Sequence, residues 1–156
     1  MKTIKIITFA LALPLVLLSV GCTGAPSVST EISSSVPAPD TRNLINGVIT
    51  IGAGEYYDIK FEVDTGTMHN AGVTGAFKAS GGSGNDIEVS ILNDAVFGKW
   101  ITGHNEPTLY YSGKLTSSNI SVAISDSGNY HLIFDNSFSL ITSKEVTAKV
   151  DLVWSK

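Results

Sequence analysis

The sequence has little cysteine, little charge and no sustained helical pattern. One of its 156 residues is cysteine, Cys22, so no disulfide can form within the chain. Charged residues make up 15%, and 10 basic against 14 acidic residues give a net charge of -4. Because binding to a phosphate backbone needs a cationic excess, we expect no nucleic-acid partner. The length allows one packed domain and excludes a large multi-domain enzyme.

Patterns for catalysis and metal binding are also missing. The chain has no Gly-x-Ser-x-Gly motif, and His69, His104 and His131 are too far apart in the sequence to give a short metal-ligand spacing. A calcium site at Asn85 and Asp86 has oxygen donors but lacks EF-hand spacing, and a glycine-rich turn explains the same residues. We therefore expect no enzyme activity, no metal ion and no cofactor.

Residues 1–21 have the pattern of a secretory signal peptide. Two lysines precede an almost purely apolar stretch at residues 6–18, which is short for a membrane-spanning helix. The following Leu-Ser-Val-Gly-Cys, ending at Cys22, resembles the lipobox of bacterial lipoproteins. That resemblance implies cleavage before Cys22, acylation of its thiol and an exported protein anchored in a membrane of the cell envelope. An incidental cysteine beside an ordinary cleavage site is the alternative.

The rest of the chain divides into a linker at residues 22–43 and a domain at residues 44–156. The linker is rich in Ser, Thr and Pro and has too little apolar surface to fold, so we expect a disordered stalk. In the domain, apolar and polar residues alternate with period two between turns rich in Gly, Asp and Ser. This pattern predicts an all-β fold, an antiparallel β-sandwich.

One C-terminal motif resembles the hallmark of GOLD domains, the β-sandwich modules of the p24 (emp24/gp25L) cargo-receptor family. Its core reads Gly-Asn-Tyr-His-Leu-Ile-Phe-Asp-Asn-Ser-Phe-Ser at residues 128–139. The resemblance implies a jelly-roll type sandwich and assigns structural roles, without a catalyst. The residues that match the motif are Gly128, Tyr130, Phe134, Asp135, Asn136, Ser137, Phe138, Ser139 and Lys144.

The motif also has a physical rationale in strand geometry. Tyr130 and Phe134 are four positions apart on a predicted strand, so both face the core. Asp135 and Asn136 are expected to bond backbone groups where the strand ends, and Phe138 to fold over the end of the sandwich. His131 lies on the opposite face and is interpreted as an ordinary strand residue.

We expect a non-catalytic, membrane-anchored module that binds another protein, or an accessory subunit of an exported assembly. The alternative is a small-ligand domain that holds a carbohydrate or a lipid against exposed aromatic side chains. Ordinary packing at the rim is the simpler explanation of Tyr56 and of Trp100, which is predicted to lie in a loop. The ligand face in the alternative consists of Tyr56, Trp100, Tyr110 and Tyr111.

Overall fold

The structure, a computed structural model, describes residues 38–104 and 106–156. The predicted signal peptide, Cys22 and most of the predicted linker therefore lie outside the described residues. The described elements are β1 (Asp40–Ile51), β2 (Tyr56–Val63), β3 (His69–Ser80), β4 (Ile87–Asn93), α1 (Asp94–Trp100), β5 (Tyr110–Leu115), β6 (Ser117–Ala123), β7 (Gly128–Asp135) and β8 (Lys144–Ser155).

The eight described strands form two antiparallel four-stranded sheets that pack face to face. The first sheet has the order β1-β8-β3-β6, and the second has the order β2-β7-β4-β5. Except for β4 and β5, strands that pair are not consecutive in the sequence, as in a jelly roll built from two Greek keys. The predicted β-sandwich is confirmed.

The core between the sheets follows from the period-two alternation. Along β8, Val146, Ala148, Val150 and Leu152 are buried while the residues between them face outward. The facing sheet contributes large side chains such as Phe134 to the same core cluster. Alternate residues of a strand point to opposite faces, so one apolar row from each sheet fills the interior.

The sandwich begins earlier in the chain than residue 44. β1 starts at Asp40, which pairs with Trp154 of β8, and a bulge follows between Asn43 and Ile45. Residues 40–43, predicted as linker, are therefore strand. Their polar composition gave no strand pattern, because they extend an edge strand whose side chains are mostly exposed.

The outer face of the second sheet carries an element that the sequence pattern did not predict. α1 follows β4 directly, and the Asn93 side chain caps it by accepting the Val96 N–H at 2.9 Å. Its seven residues are too few to display a helical period. No helix in the described part of the chain has the length and apolar character needed to span a membrane.

Candidate functional site

α1 builds an aromatic cluster on the outer face of the second sheet. Its Phe97 and Trp100 rings stack with centroids 6.1 Å apart, and Tyr56 of β2 meets Trp100 edge-on at 5.0 Å. Such offset and T-shaped arrangements are the favourable ones for aromatic rings. Trp100 is therefore held from two sides, and it lies at the end of a helix instead of in the predicted loop.

A buried histidine lies beneath this cluster and joins the helix to the sheet. His131 of β7 is 3% exposed, and its two ring nitrogens lie 2.9 Å from carboxylate oxygens of Asp58 and Asp94. The Lys60 ammonium also binds Asp94 at 2.8 Å. Lys60 and His131 together hold the pKa of Asp94 below its ordinary value. His131 faces away from the core as predicted, but it organises a network where the pattern indicated an ordinary strand residue.

Next to the aromatic cluster, the segment after α1 folds over β4 and β5 and leaves a cleft of about 420 Å³. Trp100 forms one wall and Tyr111 of β5 another, and Ser90 of β4 also lines it. We call this cleft the outer cleft. Its lining residues are Glu88, Ser90, Trp100, Glu106, Pro107, Thr108 and Tyr111.

The outer cleft is acidic. Glu88 lines it and stands directly opposite Asp135 of β7 in the sheet register. Glu106 lies at its edge and binds the Lys99 ammonium at 3.1 Å. Burial raises the pKa of the Tyr111 phenol, and the Glu88 carboxylate beside it adds to the rise.

Of the four residues predicted as a ligand face, the structure brings three together. Trp100 and Tyr111 line the outer cleft, and Tyr56 supports Trp100 from behind. Tyr110 is separate, because its side chain packs against the core and its hydroxyl lies 3.4 Å from the Asn119 carbonyl oxygen. Tyr110 and Tyr111 are neighbours on one strand and so point to opposite faces. Their prediction as one face is wrong for Tyr110.

The C-terminal motif has the roles expected from its residues. Tyr130 and Phe134 are buried in the core, and the Tyr130 hydroxyl donates to the Asp126 carbonyl at 2.8 Å. Asp135 Oδ1 accepts the Ser137 N–H at 2.7 Å where β7, which begins at Gly128, ends.

Asn136 ties three segments together at that end of the sandwich. Its side chain is fully buried, and its Nδ2 donates to the carbonyls of Gly52 and Thr142, both at 2.9 Å. Its backbone N–H also donates to the Glu55 carbonyl at 2.9 Å. The side chain thus joins the turn between β1 and β2 to the loop that leads into β8.

Lys144, the last residue of the motif, is buried as the first residue of β8. Its ammonium donates to Asp86 Oδ1 and to the Gly81 carbonyl, both at 2.9 Å. The half-buried Phe138 ring lies 4.1 Å from the Lys114 ammonium and 6.0 Å from that of Lys144. Asp86 is therefore engaged by a lysine, and in the described residues no three His, Cys, Asp or Glu side chains converge to hold a metal ion.

The loop that follows Asn136 exposes two aliphatic side chains. Leu140 and Ile141 are 91% and 90% exposed, more than any other large apolar side chain in the described residues. Ser139 and Thr142 clamp them from either side, since the Ser139 hydroxyl lies 2.9 Å from both the carbonyl oxygen and Oγ1 of Thr142. We call residues 139–142 the apolar tip.

Comparison of the sequence with protein-family models finds no match, and comparison with curated proteins finds none. The outer cleft and the apolar tip are therefore identified as candidate sites by their local geometry. Neither the apolar tip nor the His131 network was predicted from the sequence. The apolar tip could have been predicted from the adjacent aliphatic residues 140 and 141, because turns normally carry polar residues.

Proposed function

We propose that this protein is an exported, lipid-anchored and non-catalytic module that binds another protein through its apolar tip. The observation behind the proposal is the near-complete exposure of Leu140 and Ile141 side by side. Single exposed apolar residues are common, but two adjacent exposed aliphatic side chains form a contiguous apolar surface, which is typical of an interaction site. The chemistry that fits them is an apolar pocket on a protein surface.

The tip is pre-organised for such a contact. Asn136 and Ser139 both bond Thr142, so the two bonds close the base of the turn. A turn that is already ordered loses little conformational entropy when a partner binds, and more of the contact energy then appears as affinity.

The position of the tip also suits an anchored domain. β1 pairs with β8 so that Asp40 lies opposite Trp154 and Ile51 lies opposite Lys144. The tip precedes Lys144, so it lies at the end of the sandwich away from the start of β1. Twelve residues of strand span about 40 Å. If acylated Cys22 holds the protein in a membrane, the tip is presented away from the point at which the chain enters the sandwich.

The GOLD-like motif supports the same proposal. The resemblance points to a family of non-catalytic sandwich modules, and the motif residues perform structural roles in this chain. Tyr130 and Phe134 build the core, while Asn136 orders the loop that presents the tip. In this proposal the motif is the scaffold, and residues 140 and 141 are the contact.

Site-specific photo-crosslinking in cells of the source organism tests the interaction. A benzophenone side chain at position 141 of the full-length protein is expected to capture one protein partner. The matched control carries it at Val48, which is also exposed but lies on an edge strand of the first sheet. Capture of the same proteins from both positions, or of none from position 141, would contradict the proposal.

Fractionation of the same cells tests the anchor separately. Cys22→Ser removes the only thiol that acylation could use and is expected to move the protein from the membrane fraction to the soluble fraction. Unchanged membrane retention of the variant would exclude lipidation at Cys22 as the anchor. The crosslinking result does not depend on this outcome, because it reports only on the tip.

A further inference from the structure

Two carboxylates of the second sheet, Glu88 in the outer cleft and the adjacent Asp135, make no ion pair with a described residue. Glu88 and Asp135 are register partners on neighbouring strands, an arrangement in which like charges destabilise a sheet. Neither makes an ion pair with a residue of the described part of the chain. Lys114 is the register partner of Glu88 on its other side, but its ammonium lies over the Phe138 ring. The fold therefore accepts a local excess of negative charge here.

Ser90 places a hydroxyl group in the same cleft. Ser90 lines the outer cleft and is 6% exposed, yet its side chain makes no hydrogen bond to another described residue. Its neighbours in the register are Ile133 and Tyr111, so the hydroxyl shares the cleft with the Tyr111 ring. This hydroxyl is positioned to bond a molecule in the cleft.

The aromatic walls add a third feature. Trp100 is fixed by Tyr56 and Phe97, so its position does not depend on a ligand. Tyr111, which is more than half exposed, forms the opposite wall. An indole or phenol ring attracts both the apolar C–H face of a sugar ring and a nearby cation, the latter through its quadrupole.

We infer that the outer cleft binds an amino sugar, a pyranose ring that carries a protonated amine. The ring lies against Trp100, the ammonium is placed between the Glu88 and Asp135 carboxylates, and a sugar hydroxyl bonds Ser90. The same carboxylates repel sugars that carry a carboxylate, sulfate or phosphate group. Burial is the main cause of the raised pKa of Tyr111, and the Glu88 and Asp135 carboxylates add to the rise. The site shares no residue with the apolar tip and stands independently of the proposed function.

Calorimetric titration of the full-length protein with a β-linked glucosamine trisaccharide tests the inference. The N-acetylated trisaccharide is the matched ligand, because acetylation removes the charge and keeps the ring. We expect the amine form to bind at least tenfold more tightly at pH 6. Glu88→Gln is expected to remove most of that preference, while Glu145→Gln, at an exposed carboxylate on β8, keeps it.

Two aromatic variants test whether the ligand occupies this cleft. Tyr111→Ala and Trp100→Ala are each expected to weaken binding of the glucosamine trisaccharide by tenfold or more. Tyr57→Ala, at an exposed tyrosine outside the outer cleft, is the control. Circular dichroism verifies folding, and Tyr111→Ala alone suffices if Trp100→Ala is unfolded. Equal affinity for both trisaccharides, no binding of either, or unchanged binding by the aromatic variants overturns the inference.

Discussion

His131 of β7 stacks on Phe97 of α1, with ring centroids 3.9 Å apart and an angle of 13° between the ring planes. The imidazole also lies between the carboxylates of Asp58 and Asp94, one on β2 and the other on the helix itself. One side chain therefore fixes the helix to the sheet by stacking and by hydrogen bonds. Because α1 also supplies Trp100, His131 sets the position of one wall of the outer cleft.

Replacing this histidine should destabilise the fold. His131→Leu keeps apolar volume beneath Phe97 but removes the ring nitrogens that contact Asp58 and Asp94, although Asp94 keeps its bond to Lys60. We expect the free energy of unfolding to fall by about 1–3 kcal/mol, measured by urea denaturation. His69→Leu is the matched control at an exposed histidine, where a change within about 0.5 kcal/mol is expected. Equal effects of the two substitutions would show that the network adds nothing to stability.

The strands were predictable because most of them bury one face. In β8 the alternation of apolar and polar residues maps directly onto buried and exposed positions. β7 differs because both of its faces are buried. Leu132 lies in the core between the sheets, whereas His131 and Ile133 are buried on the outer face of the second sheet. The sequence shows this as an apolar run, but the short helix that causes the burial has no period of its own.

The contents of the candidate sites were less predictable, because they depend on register. Tyr56 and Trp100 meet although 44 positions separate them, which no local pattern reports. The opposition of Glu88 and Asp135 requires knowledge of which strands are neighbours. The division between Tyr110 and Tyr111, in contrast, follows from strand alternation and could have been predicted once both were assigned to one strand.

The ion pair between Lys144 and Asp86 should make stability depend on pH in the acid range. The hydrogen bond from Lys144 holds the pKa of Asp86 below its ordinary value in the folded protein. A depressed folded-state pKa stabilises the fold at pH values above the ordinary one, near 4, and this contribution disappears as pH falls further through the folded-state pKa. We therefore expect the free energy of unfolding to decrease below about pH 4.

Two variants separate this pair from general acid denaturation. Asp86→Asn cannot ionise, so it should lower stability by about 1–3 kcal/mol at pH 7 and show a shallower decrease below pH 4. Glu62→Gln, at an exposed carboxylate of β2 without an ion pair to a described residue, should keep the wild-type profile. Urea denaturation between about pH 2.5 and about pH 7, a range that extends to both sides of the ordinary carboxyl pKa, measures both. Parallel profiles for all three proteins would mean that Asp86 does not contribute.

The Asn136 amide donates to the carbonyls of Gly52 and Thr142 and lies 3.3 Å from a third carbonyl, that of Ile51. Asn136→Ala removes these donors and leaves buried carbonyl oxygens unpaired. It also removes the buried Oδ1, which has no partner among the described residues, and this partly offsets the loss. We expect a net cost of about 1–3 kcal/mol and a melting temperature lower by several degrees.

A second substitution at the same position distinguishes the hydrogen bonds from simple packing. Asn136→Asp preserves the shape of the side chain but replaces the donor with an acceptor, which then faces the carbonyls of Gly52 and Thr142. Because a buried carboxylate there is repelled and cannot donate, Asp should destabilise more than Ala despite filling the space. Ser137→Ala, at the exposed neighbouring side chain, should leave the melting temperature unchanged. If Asp were tolerated better than Ala, shape and not hydrogen bonding would explain why asparagine occupies this position.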